Sequence, residues 1–135
     1  MNYVNTVTGP VAASDLGRTL MHEHFLFGFC GFQGDATLGG FKEEEYTRDC
    51  LKAVDDARAY GINTIVDATT NECGRNVRFL KKISDMTGMN IICSTGYYFQ
   101  AESAYAYWNF RRGFANIEEE IYEMMVTELT KGIEG

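Results

Sequence analysis

Basic residues are scarce and scattered in this sequence. Against 12 lysines and arginines stand 19 aspartates and glutamates, a formal charge of -7, and the nearest approach to a basic patch is the pair Arg111 and Arg112. Two adjacent arginines cannot neutralise a run of phosphates, so nucleic acid is excluded as a partner. Long apolar runs are missing too. The longest, at residues 25–30 and 90–93, fall far short of the roughly 20 residues that cross a bilayer, so no membrane partner is expected. The opening residues, Met1 to Thr6, have neither the basic start nor the apolar core of a secretory leader, which points to the cytoplasm. The four cysteines, Cys30, Cys50, Cys73 and Cys93, form no CxxC pair and match no zinc-knuckle spacing. Free thiols in a reducing compartment are expected, with Cys50 and Cys93 acting as small buried hydrophobes.

What is present is an ordinary globular composition. The chain has 135 residues, 45% of them apolar, with no low-complexity tract, and this bounds it to one domain or a piece of one. A closed barrel of eight strand-helix units needs roughly 200 residues or more, so a chain of this length supplies part of one at most. The acidic triplets at residues 43–45 and 118–120 are expected on solvated helix faces.

Hydrophobic patterning gives the order of elements. Residues 4–11 alternate apolar and polar side chains around a turn, which predicts a short N-terminal hairpin. Residues 18–24 lead into an apolar stretch interrupted by His22, Glu23 and His24, a strand and its exit, followed by a glycine-rich loop over residues 28–40. Across residues 42–60 the apolar positions Tyr46, Cys50, Val54 and Ala57 recur at helical spacing, and Gly61 stands where a left-handed residue would close the helix. Residues 62–67 read as a buried strand and 68–75 as a loop. Residues 76–87 form a second helix, with Leu80, Ile83 and Met86 or Thr87 on one face and Gly88 at its end. A third strand covers 90–94, an aromatic loop runs from Tyr97 to Phe110, and a third helix covers about 116–131, with Ile117, Ile121, Met124 or Met125, and Leu129 as its apolar face. Alternating strands and helices, with near-continuous apolar strands, predict an α/β fold of parallel strands covered by helices. Periodicity does not distinguish a doubly wound sheet from a (β/α) barrel.

His22 and His24 are the only histidines. Two apart at the C-terminal end of the first core strand, they share a face about 7 Å apart along the chain, close enough to converge on one cation. Spacing alone is a weak signal, and two ligands make no complete site, since zinc takes three or four protein ligands.

The chain resembles a known family over nearly its whole length. The residues that carry this are Val4-Asn5-Thr6-Val7-Thr8-Gly9-Pro10, Leu16-Gly17 and Leu20-Met21-His22-Glu23-His24. They continue with Gly61-Ile62-Asn63-Thr64-Ile65-Val66-Asp67-Ala68-Thr69, Gly74-Arg75-Asn76 and Asn90-Ile91-Ile92-Cys93-Ser94-Thr95-Gly96-Tyr97-Tyr98. In order and spacing these are similar to the opening of phosphotriesterase-family enzymes of the amidohydrolase superfamily, and the segment 128–135 looks like the approach to that family's fourth strand.

The resemblance implies that residues 1–135 are the N-terminal, incomplete portion of one hydrolase domain: the first three βα units of a (β/α)8 TIM barrel, preceded by the hairpin. It implies two divalent metals at the barrel mouth, bridged by a hydroxide and a carboxylated lysine, with His22 and His24 holding the more buried one. Zinc is the first expectation, with manganese or cobalt as alternatives. The lysine of strand four, the histidines of strands five and six and the aspartate of strand eight cannot be placed here, so no catalytic residue is assigned within the chain. Lys131, at a predicted helix end, is no substitute for that lysine. The implied substrates are small-molecule phosphotriesters, lactones or related esters. Tyr98 matches a position where members carry an aromatic residue lining the substrate pocket.

Other residues are read as structural. Asp67 is expected to hydrogen-bond in a turn rather than bind metal, Glu23 to point away from the histidines by strand alternation, and Arg75 to tie down a loop. The aromatic stretch suits a lid or a dimer surface, and the family is often dimeric, so a homo-oligomer or association with the rest of the barrel is expected. The chain by itself is expected to be inactive. The competing readings are a non-catalytic small α/β protein that works through self-assembly or a complementary fragment, and a non-catalytic metal or partner binder.

Overall fold

The computed structural model describes residues 2–98 and 104–134. The hairpin pairs β1 (Tyr3–Thr6) with β2 (Gly9–Ala12), antiparallel. Three parallel strands follow, β3 (Arg18–Glu23), β4 (Ile62–Asp67) and β5 (Asn90–Cys93), hydrogen-bonded in that order. The helices are α1 (Glu43–Ala59), α2 (Val77–Thr87), α3 (Ala104–Arg111) and α4 (Ile117–Lys131). The expected α/β fold, opening on a hairpin and continuing as parallel strands with helical crossovers, is the one observed.

The helix ends follow from local chemistry. Helix α1 begins with Glu43, Glu44 and Glu45, acidic side chains beside the positive end of the helix dipole. Gly61 at φ 75° lets the chain turn into β4, its amide donating to the Arg58 carbonyl at 2.8 Å. Asn76 caps α2 by accepting from the Phe79 amide at 3.1 Å. Asn76→Ala is expected to cost about 1 kcal/mol in chemical denaturation, the usual worth of such a cap.

The core lies between the sheet and helices α1 and α2. Val54, Leu80, Ile83, Met89 and Ile91 are fully enclosed, with Cys50, Ile62, Ile65 and Phe79 around them. Of the pairs that alternation left open, Ile65 and Ile91 face the helices, while Val66 and Ile92 are half-buried. On α2 Thr87 is half-buried and Met86 exposed, and on α4 Leu129 is exposed rather than part of a buried face. All four cysteines are free thiols. Burial, with help from Asp49 and Asp67, pushes Cys50 up to about 11, and burial with Asp67 pushes Cys93 up to about 12, so both behave as apolar packing atoms.

Two further findings depart from the sequence expectations. Part of the aromatic stretch is helical, α3, although residues 99–103 lie outside the described residues. Its side chains are too uniformly apolar to show a 3.6-residue period. Contacts from elsewhere in the chain meet it instead: Trp108 lies edge-on to Tyr97 at 5.9 Å, and Arg111 pairs with Glu120 of α4. Second, β3 and β4 slip register between Leu20 and Glu23, so that three steps along β3 match two along β4, from Ile65 to Asp67. The slip breaks strict alternation. Leu20 therefore packs with the helix-side core, while His22 and His24 remain exposed.

Candidate metal centre at the strand ends

Parallel strands place their C-terminal ends on one face, and here that face gathers the loops leaving β3, β4 and β5. His22 lies one residue before the end of β3 and His24 just beyond it, with ring centroids 5.2 Å apart and planes at 75°. Asp67, at the end of β4 and buried, organises the exits. One carboxylate oxygen accepts the Phe25 amide at 3.0 Å and the other the Thr69 amide at 2.8 Å. This is the hydrogen-bonding role expected of it. The Ala68 amide adds a bond to the Glu23 carbonyl at 3.0 Å. Together these contacts bring Thr69 to His24 across 45 residues of sequence.

Thr69 fixes which imidazole nitrogen is free. Its hydroxyl donates to the Leu26 carbonyl at 3.0 Å and lies 2.9 Å from His24 Nδ1. A hydroxyl has one proton to give. With that proton on Leu26, His24 Nδ1 must be the donor in the second contact, and Nε2 keeps its lone pair. A ligating histidine is oriented in this way, its other nitrogen held by a neighbour.

Tyr98 joins the face through an aromatic contact that spacing did not reveal. Phe27 packs edge-on against His24 at 5.1 Å, against Tyr98 at 5.7 Å and against Phe29 at 5.6 Å. Tyr98 is 55% exposed, and its backbone amide donates to the buried Glu72 carboxylate. Phe27, Thr69 and Glu72 were not singled out by the sequence. Phe27 sits in an apolar run and Thr69 within a family-like segment, and neither signal carries a role.

Arg75 ties a loop down, as expected, and its anchor is α4. Its guanidinium donates to the Ser94 carbonyl at 3.0 Å and binds both Glu128 oxygens, at 2.9 and 2.5 Å, while Thr95 donates to Glu128 at 2.5 Å.

The donor set fits a divalent cation: two adjacent exposed imidazoles, one with its tautomer fixed, are neutral nitrogen ligands of the type zinc accepts. Among the described residues no group of three or more His, Cys, Asp or Glu side chains is placed to hold a metal, so the pair supplies two donors. The sequence profile of the phosphotriesterase family matches residues 2–135. The chain belongs to the phosphotriesterase family. Among its relatives, an aryldialkylphosphatase from Saccharolobus solfataricus is 30% identical over 93% of this chain and 38% of its own length. The solved organophosphorus hydrolase of Deinococcus radiodurans superposes with a TM-score of 0.91 at 49% identity, covering 98% of this chain and 40% of that one. A variant of a PTE-like lactonase from the same organism gives 0.89 at 49% identity, covering 97% and 41%. These neighbours are TIM-barrel proteins and the family's members are metal-dependent hydrolases. The chain therefore spans about two fifths of the relatives it matches. Among the described residues no helix is long and apolar enough to cross a membrane.

Proposed function

We propose that this chain is the N-terminal portion of a phosphotriesterase-like metal-dependent hydrolase, with His22 and His24 as ligands to the more buried metal of a binuclear centre. Zinc is the proposed metal, with manganese or cobalt as alternatives. Tyr98 lines the substrate pocket, and the substrates are small-molecule phosphotriesters, lactones or related esters. The observation that carries this reading is the paired imidazoles at the strand ends, with Thr69 holding His24 Nδ1 and leaving Nε2 bare. Four free thiols accord with a cytoplasmic location.

A bound divalent metal supplies an activated water and polarises the electrophile. The chain's own residues prepare that chemistry. Asp67 fixes both loops, Thr69 sets the tautomer of His24, and Phe27 packs between His24 and Tyr98 so that ligand and pocket wall are positioned together. Family membership favours this reading over a non-catalytic self-assembling protein.

Zinc affinity, measured against a chromophoric chelator, tests the proposal. His22→Ala combined with His24→Ala is expected to weaken binding at least about 100-fold, because no paired donor remains. Thr69→Val, which releases the tautomer, should weaken it about 10-fold. Unchanged affinity in the double variant would sink the assignment. With zinc added, a chromogenic lactone and a phosphotriester should show no turnover above that of the double variant, since the pair is only part of a hydrolytic site.

A further inference from the structure

Two of the free thiols belong to segments that lie side by side in the fold. Cys30, in the glycine-rich loop after β3, is exposed, while Cys73, at the end of the turn after β4, is fully buried. The Gly28 amide donates to the Cys73 carbonyl at 3.0 Å, and the Cys30 thiol donates to the Glu72 carbonyl at 3.5 Å across 42 residues of sequence. That carbonyl belongs to the peptide group leading into Cys73, and the fixed peptide geometry then sets Cys30 Sγ within roughly 6.5 Å of the Cys73 Cα. The two thiols also feel each other. Burial is the largest influence holding the Cys73 thiol above its ordinary value of 9.0; a Thr70 hydrogen bond opposes it, and the charges of Glu72 and Cys30 add to it.

A disulfide holds each sulfur about 4 Å from the opposite Cα, so a shift of roughly 2 Å in the loop suffices to close one. The loop has room for it. Gly31, next to Cys30, takes φ 99° and has nothing within 4 Å of where a Cβ would stand, so the chain there borders open space. The other two thiols are placed differently. Cys50 donates to the Phe25 carbonyl at 3.8 Å within the helix-side core, and Cys93 packs against the same core. Cys30 is therefore the thiol that an oxidant in solution meets first.

We propose that Cys30 and Cys73 form an oxidation site for peroxides, closing to a disulfide that pins the loop after β3 to the turn after β4. The Cys30 thiolate attacks one peroxide oxygen, the O–O bond breaks, and a sulfenic acid forms as the other oxygen leaves as water. The Cys73 thiolate then attacks the Cys30 sulfur, the S–O bond breaks, and a second water leaves. Two thiols and one hydrogen peroxide thus give one disulfide and two waters, and a thiol reductant reverses the bridge by exchange. In a reducing compartment such a bond is transient, as redox-sensing disulfides are.

Hydrogen peroxide added to the folded chain, followed by blocking of the remaining thiols with iodoacetamide and peptide mapping by mass spectrometry, tests this. Loss of two free thiols per chain is expected, with the Cys30 and Cys73 peptides joined and dithiothreitol restoring both. Cys30→Ser, at an exposed position, should lose the bridge and leave Cys73 reduced. In Cys73→Ser, sulfenic acid at Cys30 should persist and be captured by dimedone, while the wild type at completion shows none. Should Cys73→Ser lose its native circular dichroism, the wild-type map and Cys30→Ser decide. The proposal is overturned by an absence of thiol loss, by a Cys30 bridge between two copies as the main product, or by Cys30 ending as sulfinic acid with Cys73 still reduced. Equal oxidation of Cys73 in Cys30→Ser, or a yield of the bridge no higher in the folded chain than in concentrated urea, overturns it as well.

Discussion

Glu128→Ala is expected to destabilise the protein by about 3–5 kcal/mol, the cost of leaving one member of a buried ion pair without its partner. The Arg75 and Glu128 side chains are 8% and 12% exposed, so the guanidinium would lose its partner in a place with little bulk solvent. The variant would strand the guanidinium between the Ser94 carbonyl and an empty space, and would also remove the acceptor of Thr95. Because the pair joins the turn after β4 to α4, loss of α4 docking should accompany the drop in denaturant midpoint. Asp56→Ala is the control. Its partner Lys52 is 76% exposed and Asp56 is 64% exposed, and a solvated surface pair of this kind should leave the denaturant midpoint nearly unchanged. The pair also predicts a pH dependence. Burial would push the Glu128 carboxyl up, but hydrogen bonds from Arg75 and Thr95, with the charge of Arg75, outweigh it and hold the group below its ordinary value of 4.5. A carboxyl depressed in the folded state gives stability that is complete above its unfolded value and is lost as pH falls through the folded one. The stability difference between wild type and Glu128→Gln should therefore be constant near neutrality and shrink as pH falls below about 4.5.

In isolation, the 135-residue chain is expected to self-associate at micromolar concentration. Among the described residues strand β3 is paired on one side only, by β4, and an unpaired strand edge is a template for another chain. Beside it lies an apolar cleft of about 420 Å³, lined by Leu20, Phe25, Cys50, Ala53, Ala57 and Ile65 among others. The opposite edge is partly covered, since the Val7 amide in the hairpin turn donates to the Ile91 carbonyl of β5 at 2.9 Å. Association should therefore be centred on β3. In a closed barrel the inner face is packed by side chains from every strand. Here Val66 and Ile92 are half-buried and Met21 is 71% exposed, each offering apolar area worth about 25 cal/mol per Å² when covered. Sedimentation velocity should show species heavier than one chain, and Met21→Lys, a charge placed on the edge strand, should shift the distribution toward monomer without loss of helix. A compact monomer at these concentrations would refute the expectation.

The sequence by itself determined the order of the strands and of helices α1, α2 and α4, the glycines at the two crossover helix ends, the place of His22 and His24 at a strand exit, and the family. Each is a local or periodic property: burial on one face of a helix repeats every three to four residues, and a left-handed turn calls for glycine where it occurs. The tertiary structure alone decided the contacts between distant segments. Thr69 reaches His24 across 45 residues and Glu128 reaches Arg75 across 53, separations that no spacing encodes. Alternation along β3 fails for a related reason, because the register slip after Leu20 is a property of its pairing with β4 and not of β3 itself. Helix α3 lacks a polar face to reveal its period, and Glu72 looks like any loop glutamate until the Tyr98 amide donates to it.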